Sequence, residues 1–555
     1  MHPNASNGPS SPGAHYTYPQ PPYPAGGPPP GASYSYPAGM AYPPPPPIPF
    51  GRIEDIVVAV CALLGFIAFH FVRVRGGFGL LLFAVVYLLT ATFYLVKKGV
   101  KIRKGSYVIA LLYLLSAAGA GIASIPAINF FNLVFHLLLG LYFVYYTTRM
   151  SLDGDLSDLS FMDGMKMVFL APFGNYNAAW HVAAKRPKKR SVSKNILYAC
   201  LGLLLTLPLT LIIIGILSGI DEGFAQLWDQ ISRHALTEIL FAALHFMLGL
   251  FLAAYLFGAL YSNVTKRKYA NYTGEQARES LKRCRFMPQA VGIAAVVPLL
   301  FVYLIYVLAQ LPHMSSVLWS QLPRDYTYAQ YAKQGFGELC VIALINLMVI
   351  LLLHLLAKRN EKGNVPVVTR VMTYILALFT LLLMASAAAR LWMYIEVYGL
   401  TRLRLYCAWF LIALVAVFLL LCVRLLFTRF PLVKVAVPLL SVWFLVLVFS
   451  NSDRLIVDHN VRRYLNGEIP TAGTEMVEDL SFGSLEGYLP LLSADEDVYA
   501  GLNKQRLHAA LAYRCSIYAG EAQLRYLTVT DTLAEARIKQ AVGYQPPAGY
   551  PGIRY

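Results

Sequence analysis

The chain has 555 residues, a mean hydropathy of +0.54, 57% hydrophobic residues and only 14% charged residues. Since soluble domains carry about 25% charged residues, this composition excludes an ordinary water-soluble domain. The formal net charge of +17 does not indicate nucleic-acid binding, because Lys and Arg stand in short clusters between apolar runs, as the positive-inside bias produces. We therefore predict a multi-pass membrane protein that is embedded in the lipid bilayer and binds no nucleic acid.

Residues 1–50 form a low-complexity tail rich in Pro, Gly, Tyr and Ser, with five consecutive prolines from Pro43 to Pro47. Such a segment cannot bury enough apolar surface to offset its ordering entropy, so we predict disorder with polyproline II character. The tail is either a spacer or a ligand for an aromatic-lined groove on a protein partner. No signal-peptide pattern precedes the first apolar run, which is expected to act as its own insertion signal.

Eleven apolar runs follow, each near the length of about 20 residues that crosses a hydrocarbon core of about 30 Å. They cover residues 56–72, 77–96, 106–125, 128–146, 196–217, 236–261, 288–309, 339–356, 367–389, 404–423 and 434–450. The predicted fold is all-α: a polytopic membrane helical bundle over 51–450, preceded by the disordered tail 1–50 and followed by a small helical domain, 451–555. The third and fourth runs are joined only through residues 125–127, which predicts a tight hairpin.

The orientation follows from counting Lys and Arg on alternate loops. The N-terminal tail and every second loop after it carry 28, whereas the opposite loops carry 8. We therefore predict that the N-terminus and the basic loops are cytoplasmic. Because the number of predicted spans is odd, the domain 451–555 is expected outside the cytoplasm, and one miscounted span would reverse that side.

Two loops are longer than simple connectors. The predicted cytoplasmic loop 147–195 begins with aspartates, ends in the basic run KRPKKR at 185–190, and carries apolar residues between Phe161 and Trp180 that we expect along the membrane interface. The basic run is interpreted as an anchor for anionic lipid headgroups. The loop 218–235 has apolar residues at helical spacing and predicts an interfacial helix.

After Ser450 the composition becomes that of an ordinary polar chain. Apolar residues recur at helical spacing over 498–518 and over 531–541, which predicts two helices of a small domain. The last dozen residues contain three prolines and are expected to fray.

The sequence carries no signature of an enzyme or a metal site. Its seven cysteines are scattered without a C-x-x-C pair, and G-x-S-x-G, H-E-x-x-H and Walker motifs are absent. The acidic patches Asp153–Asp163 and Asp495–Asp497 are interpreted as solvated loop charge, with a divalent cation as the alternative. We predict no cofactor, no metal and no catalytic residue, which favours a non-enzymatic role.

Polar residues within the predicted spans are costly and are candidate functional groups. They are four histidines, a glutamate that opens a span and three asparagines: His70, His136, His245, His354, Glu238, Asn129, Asn132 and Asn346. No two histidines stand at i, i+4, so we interpret this set as interhelical hydrogen-bonding partners. A proton relay or a metal site is the alternative.

The strongest candidate site surrounds SAAARLWMYIEVYGLTRLRLY, residues 386–406, a charged aromatic hinge between two long apolar runs. Its charged residues and the glutamate that opens the eighth span are predicted on one side of the membrane: Glu338, Arg390, Glu396, Arg402 and Arg404. Arginines in such a pocket could bind a carboxylate or a phosphate through bidentate hydrogen bonds. The alternative is that Glu338 and Glu396 neutralise the arginines and pin the helical hairpin.

The centre of the hinge carries the signals of a turn between two helices. If the ninth helix continues to Tyr398, Arg390 and Tyr394 share a face at i, i+4. Gly399 is then the predicted C-cap of that helix, and Thr401 is the predicted N-cap of the next one.

Three stretches of the chain resemble a family of bacterial multi-pass proteins. They are YAKQGFGEL at 331–339, YGLTRLRLY at 398–406, and VRRYLNGEI at 461–469 followed by YLPLLSADEDV at 488–498. The chain resembles domain-of-unknown-function family 4173 and, more distantly, its sibling family 4153. The resemblance implies the helical membrane fold and a location in the bacterial plasma membrane, and it supplies no activity.

The sequence leaves three functions open. The favoured one is a non-catalytic membrane anchor or interaction protein of the cell envelope, with a protein partner on the Pro-rich tail or the C-terminal domain. The second is a permease-like transporter of a small anionic solute, with its site near Glu338 and Arg390–Arg404. The third is a membrane enzyme that acts on lipid-linked substrates. The sequence predicts no particular oligomeric state.

Overall fold

The computed structural model of the chain is all-helical in the residues that it describes. These are residues 50–70, 72, 77–122, 125–184, 202, 206, 209–210, 212–231, 237–266, 274–318, 336–360, 364–494, 503–521 and 528–544. Within them, the regular elements are helices, and one isolated β-bridge pairs Met287 with Ala357. The predicted disorder of the tail 1–50 concerns residues that, apart from Phe50, lie outside this set.

The first half of the chain forms α1 (Arg52–His70), α2 (Gly79–Lys97), α3 (Lys104–Gly119), α4 (Pro126–Thr147), α5 (Ser160–Met165), α6 (Ala171–Gly174), α7 (Asn177–Ala184), α8 (Glu222–Ile231), α9 (Thr237–Thr265), α10 (Gly274–Arg283) and α11 (Gln289–Leu318). A π-helical turn, Lys166–Leu170, joins α5 to α6. The second half forms α12 (Phe336–Leu356), α13 (Val367–Tyr398), α14 (Arg402–Leu426), α15 (Leu432–Phe449), α16 (Ser452–Leu465), α17 (Leu489–Ser493), α18 (Lys504–Glu521) and α19 (Val529–Ala541). Two 3-10 turns, Thr474–Glu478 and Phe482–Tyr488, lie between α16 and α17.

Nine of the described helices are long and apolar enough to cross a membrane, namely α1, α2, α4, α9 and α11 to α15. They coincide with nine of the eleven predicted runs. The third run forms α3, an apolar helix of only 16 residues that ends at Gly119 rather than near residue 125. The connection in the predicted tight hairpin therefore runs over residues 120–125, with a turn at 120–122, and residues 123 and 124 lie outside the described set. Of the fifth run, the structure describes a helix over 212–220 and a few isolated residues.

Close backbone contact and a shared apolar core hold the bundle together. A Cβ atom at Gly65 of α1 would overlap the carbonyl of Gly249 on α9, so the two backbones touch, as small residues allow between membrane helices. The helices α11 to α14 enclose a core that includes the fully buried Ile350, Leu376 and Phe418. Many large apolar side chains on the outside of the bundle are exposed, as expected for surfaces that face lipid.

The residues after α15 build an apolar cluster of their own. Its members come from residues 457–542 and include the fully buried Leu485, Tyr488 and Leu511. We call α16 to α19 with their connecting turns the C-terminal region. The two helices predicted there correspond to α18 and α19, and the helix predicted within loop 218–235 corresponds to α8.

Candidate functional site

The hinge of the candidate site folds as its cap residues predict. The helix α13 continues to Tyr398, and Gly399 follows with φ +70° while its N–H donates to the carbonyl of Ile395 at 2.8 Å. Positive φ favours glycine because glycine has no Cβ. Thr401 then caps α14, since its hydroxyl accepts from the N–H of Arg404. Both predicted caps are confirmed, and they bring the ends of two long helices to one turn.

The guanidinium of Arg404 binds the end of α13. It donates to the carbonyls of Tyr398 and Gly399 at 2.9 and 2.6 Å. It also lies over the ring of Tyr394, 3.9 Å from the ring centre, in the geometry of a cation–π contact. A cation beside the exposed carbonyls of a helix C-terminus stabilises that end, so Arg404 locks the turn.

Arg402 is paired with a carboxylate that the sequence analysis missed. Its Nε and Nη2 donate to the two carboxylate oxygens of Asp453 at 2.7 and 2.5 Å. Asp453 is fully buried at the start of α16 and also accepts the N–H of Ser481 at 2.7 Å. This bidentate pair therefore joins the hinge to the C-terminal region.

Asn460 of α16 adds a second joint beside the first. Its side-chain oxygen accepts the N–H of Leu400 at 2.7 Å, and its side-chain amide donates to the carbonyl of Leu400 at 2.8 Å. A Cβ at position 399 would lie 2.5 Å from the Asn460 oxygen. The absence of a side chain at Gly399 thus allows α16 to approach the turn.

Glu396 pairs with Arg463 of α16. The Arg463 Nη2 lies 2.6 Å from Glu396 Oε2, and its Nε lies 2.8 Å from Glu468 Oε2. Burial opposes the charge on Arg463, but Glu468 and Glu396 outweigh it and raise the pKa of Arg463. Glu396 therefore pairs with an arginine, but this arginine is Arg463 of α16 and not one of the hinge arginines.

The two remaining candidates, Arg390 and Glu338, lie on α13 and α12. Arg390 is buried on α13. Glu338 is exposed in the first turn of α12, and no ion pair to it is formed by the described residues. Ligand binding by the five candidates stays a prediction, and the contacts of Arg402, Arg404 and Glu396 are all made with the protein itself.

The C-terminal region contacts a second turn at the same end of the bundle. The N–H of Val529 donates to the carbonyl of Gly121, in the turn between α3 and α4, at 2.9 Å. In that turn, the carbonyl of Ala120 accepts the N–H of Gly77 at 2.9 Å. We call this end, with the 120–122 turn and the hinge turn, the tail end.

Ion pairs of the segment 150–163 hold the opposite end, which we call the basic end. Each joins this segment to a different part of the chain: Asp153 to Arg278 of α10, Asp155 to Arg103 before α3, and Asp158 to Arg424 of α14. Asp163 is buried and accepts from the hydroxyl of Tyr145 at 2.6 Å and the N–H of Leu152 at 3.0 Å, and burial raises its pKa. Asp153 and Asp158 are thus exposed, as predicted, and also form cross-links, whereas Asp163 is buried rather than solvated.

Two further contacts extend the basic end. Glu54, buried at the start of α1, pairs with Lys98 after α2. The N–H of Met287 donates to the carbonyl of Leu356, and the N–H of Lys358 donates to the carbonyl of Met287, both at 3.0 Å. Within the described residues, no group of three or more His, Cys, Asp or Glu is arranged to hold a metal ion, and Asp495–Asp497 lie outside them.

Polar residues within the spans bind one another across helices. His136 Nδ1 lies 2.8 Å from the hydroxyl of Ser116, and His354 Nε2 lies 3.0 Å from the hydroxyl of Thr373. Asn346 accepts from Tyr303 at 2.8 Å and donates to Thr380 at 2.9 Å. Asn132 likewise donates to the carbonyl of Ser116. These contacts are the interhelical hydrogen bonds that the sequence favoured.

The remaining polar candidates are His70, His245, Asn129 and Glu238. The rings of His70 and His245 approach each other, with centres 6.3 Å apart. Asn129 is buried. The side chain of Glu238 lies outside the described residues.

Among the cavities lined by described residues are three between the spans, with volumes of about 330, 310 and 360 Å³. Their linings are predominantly apolar, and none of the five candidate residues lines any of them. The aromatic stack of Trp409 and Trp443 borders one, and His245 borders another. These cavities suit acyl chains more than a charged solute.

Sequence reasoning missed Asp453, Asn460 and Arg463 because they lie in a polar segment, where such residues are common. One signal was available. The arginines of the hinge need carboxylates nearby, and the predicted topology puts residue 451 on the same side as the hinge. Asp453 directly follows that point.

The comparisons with known proteins give a family. A family model described as "Domain of unknown function (DUF4153)" matches residues 106–489, which is more than half of the chain and includes the hinge, Asp453 and Arg463. No curated protein matches the chain. No solved structure matches it. The closer resemblance to sibling family 4173 stays a prediction. The chain belongs to the DUF4153 family, a family of domains of unknown function.

Proposed function

We propose that the protein is a non-catalytic membrane anchor of the cell envelope, whose helical bundle holds the C-terminal region in a fixed position for a protein partner. The observation that carries the proposal is the Arg402–Asp453 pair, in which a fully buried carboxylate receives two bonds from the hinge. A buried ion pair specifies one arrangement, because breaking it leaves an uncompensated charge. The hinge thus holds the C-terminal region in a fixed position.

The contacts of the candidate arginines favour anchoring over solute transport. The Arg402 guanidinium is bound to a carboxylate, and that of Arg404 is bound to two carbonyls. A solute carboxylate or phosphate would have to displace these internal acceptors. The permease-like alternative, with its site near Glu338 and Arg390–Arg404, would require Arg402 and Arg404 to release these acceptors.

The loop contacts also support eleven crossings. The basic-end contacts link only segments that the Lys and Arg count puts in the cytoplasm, and the tail-end contacts link only segments from the opposite set. The helix α3 connects the two ends and therefore counts as a span. The helix α9 has 29 residues, about 43 Å in length, and ends near α10 at the basic end. Because α9 starts at the tail end, the chain must cross the membrane once more between residues 163 and 237. The fifth predicted run lies in this interval.

In this arrangement the N-terminus and the basic end face the cytoplasm of a bacterial cell, by the positive-inside bias. The C-terminal region then lies on the outer side of the plasma membrane. The exposed apolar side chains of Tyr513 and Leu533, 61% and 68% accessible, are available there to a protein partner. The Pro-rich tail offers a second attachment point on the cytoplasmic side.

Photo-cross-linking in intact cells tests the anchoring function. A photoreactive residue at Tyr513 or Leu533 should give a discrete protein adduct, whereas one at the exposed His508, on a different face of α18 from Tyr513, should give less. A companion experiment measures the melting temperature of the purified protein with a panel of anionic metabolites. A stabilising metabolite whose effect disappears in Arg390→Ala and Arg404→Ala, together with no adduct at either position, would replace the anchor by the transporter.

A further inference from the structure

The basic end contains a group of arginines that have fewer carboxylate partners among the described residues than the paired arginines of the hinge and α16. The backbone bridge between Met287 and Lys358 lays the segment before α11 along the end of α12. This brings Arg285 within electrostatic range of Arg359, and Arg424 at the end of α14 lies within the same range. Three arginines from three separate segments are therefore close enough for their charges to repel one another.

Arg359 carries the clearest sign of uncompensated charge. It is partly buried, its Nη2 donates to the carbonyl of His354 at 3.0 Å, and its buried Nε has no acceptor among the described residues. Burial and the charges of Arg285 and Arg424 lower the pKa of Arg359, with only Asp158 acting against them. A buried N–H without an acceptor is unfavourable, so this position favours an anion.

The carboxylate that opposes these charges within the described part of the chain, Asp158, is already engaged. Asp158 binds Arg424 Nη2 at 3.0 Å, and Arg424 Nη1 donates to the carbonyls of Thr428 and Phe430. Three of the five N–H donors of Arg424 are therefore engaged by protein acceptors. Arg285 is half-exposed and forms no ion pair with the described residues. Within the described residues, Arg285 and the Nε of Arg359 thus keep donors that no protein acceptor engages.

The surroundings indicate where the anion comes from. Phe286, next to Arg285, is 65% exposed, and Leu355 on the last turn of α12 is 42% exposed. Cations beside exposed apolar side chains at the ends of membrane helices match the boundary between headgroups and acyl chains. Arginine donors match phosphate oxygens in number and direction.

We propose that Arg285 and Arg359 form a binding site for a phosphate group, carried by an anionic phospholipid whose acyl chains lie against Phe286 and Leu355. The same donors would accept free inorganic phosphate, which is the other source of this chemistry. The site is independent of the hinge and of the proposed anchoring function. It would fix the basic end of the second half of the bundle to the cytoplasmic leaflet.

The test measures the melting temperature of the full-length protein in an uncharged detergent. The additives are phosphatidylglycerol, phosphatidylcholine with the same acyl chains, and inorganic phosphate. A ligand that binds only the folded protein raises the melting temperature. We expect phosphatidylglycerol to raise it more than phosphatidylcholine, and each of Arg285→Gln and Arg359→Gln to weaken the apparent affinity about tenfold, the loss expected for one charged hydrogen bond.

The matched control is Arg283→Gln, which removes the same charge two residues away. Arg283 is 81% exposed in its side chain and pairs with Glu279 at 3.7 Å, so the lipid effect should persist. Arg359→Lys keeps the charge if Arg359→Gln folds poorly, and Arg285→Gln breaks no described bond. Stabilisation by phosphatidylglycerol alone assigns the site to lipid, and equal stabilisation by inorganic phosphate assigns it to the free anion. Equal effects of the two lipids, or an undiminished effect in Arg285→Gln and Arg359→Gln, would overturn the proposal.

Discussion

Arg402, the first residue of α14, binds Asp453, the second residue of α16, through two parallel hydrogen bonds of 2.7 and 2.5 Å. The pair spans 51 positions of the sequence and encloses α14 and α15 between its partners. Because Asp453 is fully buried, its charge depends on Arg402 and on the N–H of Ser481 for compensation. The pair therefore couples the position of the C-terminal region to the fold of the hinge.

Glu396 forms an ion pair with Arg463. This pair predicts an energetic coupling of Glu396 to Arg463 rather than to the arginines of the hinge. Glu396→Ala and Arg463→Ala should show a coupling energy of about 0.2–1 kcal/mol in a double-mutant cycle, the range for exposed pairs, since Glu396 is 47% exposed. Thermal unfolding of the purified protein measures it. The cycle of Glu396→Ala with Arg390→Ala is the comparison. A larger coupling to Arg390 than to Arg463 would contradict the observed pairing.

Gly399 in the hinge turn allows backbone strain at positive φ to be separated from steric overlap with Asn460. Gly399→Ala must hold a Cβ at φ +70° and against the Asn460 oxygen, so a destabilisation of about 1–3 kcal/mol is expected. Gly467→Ala is the matched control, because Gly467 has φ +73° and open space where its Cβ would lie. Thermal unfolding compares the two. Equal losses would show that contact with Asn460 contributes nothing.

His459 predicts how the stability of the C-terminal region depends on pH. Burial, followed by the charges of Arg463 and Arg462, lowers the pKa of His459 below 6.5, against the opposing effect of Glu396 and Glu468. A group with a lowered folded-state pKa contributes stability above its unfolded pKa, and this stability is lost as the pH falls through the folded-state value.

We therefore expect protease resistance of the C-terminal region to fall as the pH drops below 6.5, the unfolded-state value. His459→Gln should remove that part of the pH dependence, because glutamine does not titrate. Limited proteolysis of the purified protein between neutral and acidic pH measures the effect. Identical pH profiles for the wild type and His459→Gln would exclude this role of His459.

The two ends of the bundle predict a simple labelling pattern. Cys284 is exposed at the basic end, so a membrane-impermeant thiol reagent should reach it only after the cells are permeabilised. In a Cys284→Ser background, a cysteine at the exposed position Tyr513 should react in intact cells. Labelling of position 513 only after permeabilisation would place the C-terminal region in the cytoplasm and remove one crossing from the proposed topology.

The sequence predicted the helices of the bundle well because apolar length alone decides whether a segment can span lipid. It also predicted the caps Gly399 and Thr401, since these depend on local backbone chemistry. The sequence did not predict the partners of the charged residues. The pairing of Arg402 with Asp453, or of Asp155 with Arg103, depends on which helix ends meet, and that follows from packing rather than from spacing.

The early end of α3 shows the same limit. Hydropathy continues to residue 125, but the helix ends at Gly119, and the carbonyls of Gly121 and Ile122 accept the N–H groups of Val529 and Thr530 in the C-terminal region. Local propensity could not reveal this, because the competing donor, Val529, lies about 400 residues away in the chain. The Asp153–Asp163 segment is similar, since solvated and cross-linked aspartates have the same sequence pattern.

Hydrogen exchange over residues 452–493 tests the anchoring of the C-terminal region most directly. Arg402→Gln leaves the Asp453 carboxylate buried without its cation, an effect of about 3–5 kcal/mol, so exchange there should accelerate by about 100-fold or more. Arg402→Gln combined with Asp453→Asn removes both charges and should recover most of the protection. The exposed Arg462→Gln on the same helix is the control and should change little. Unchanged protection in Arg402→Gln, or a double variant that loses the sum of the two single effects, would contradict the account.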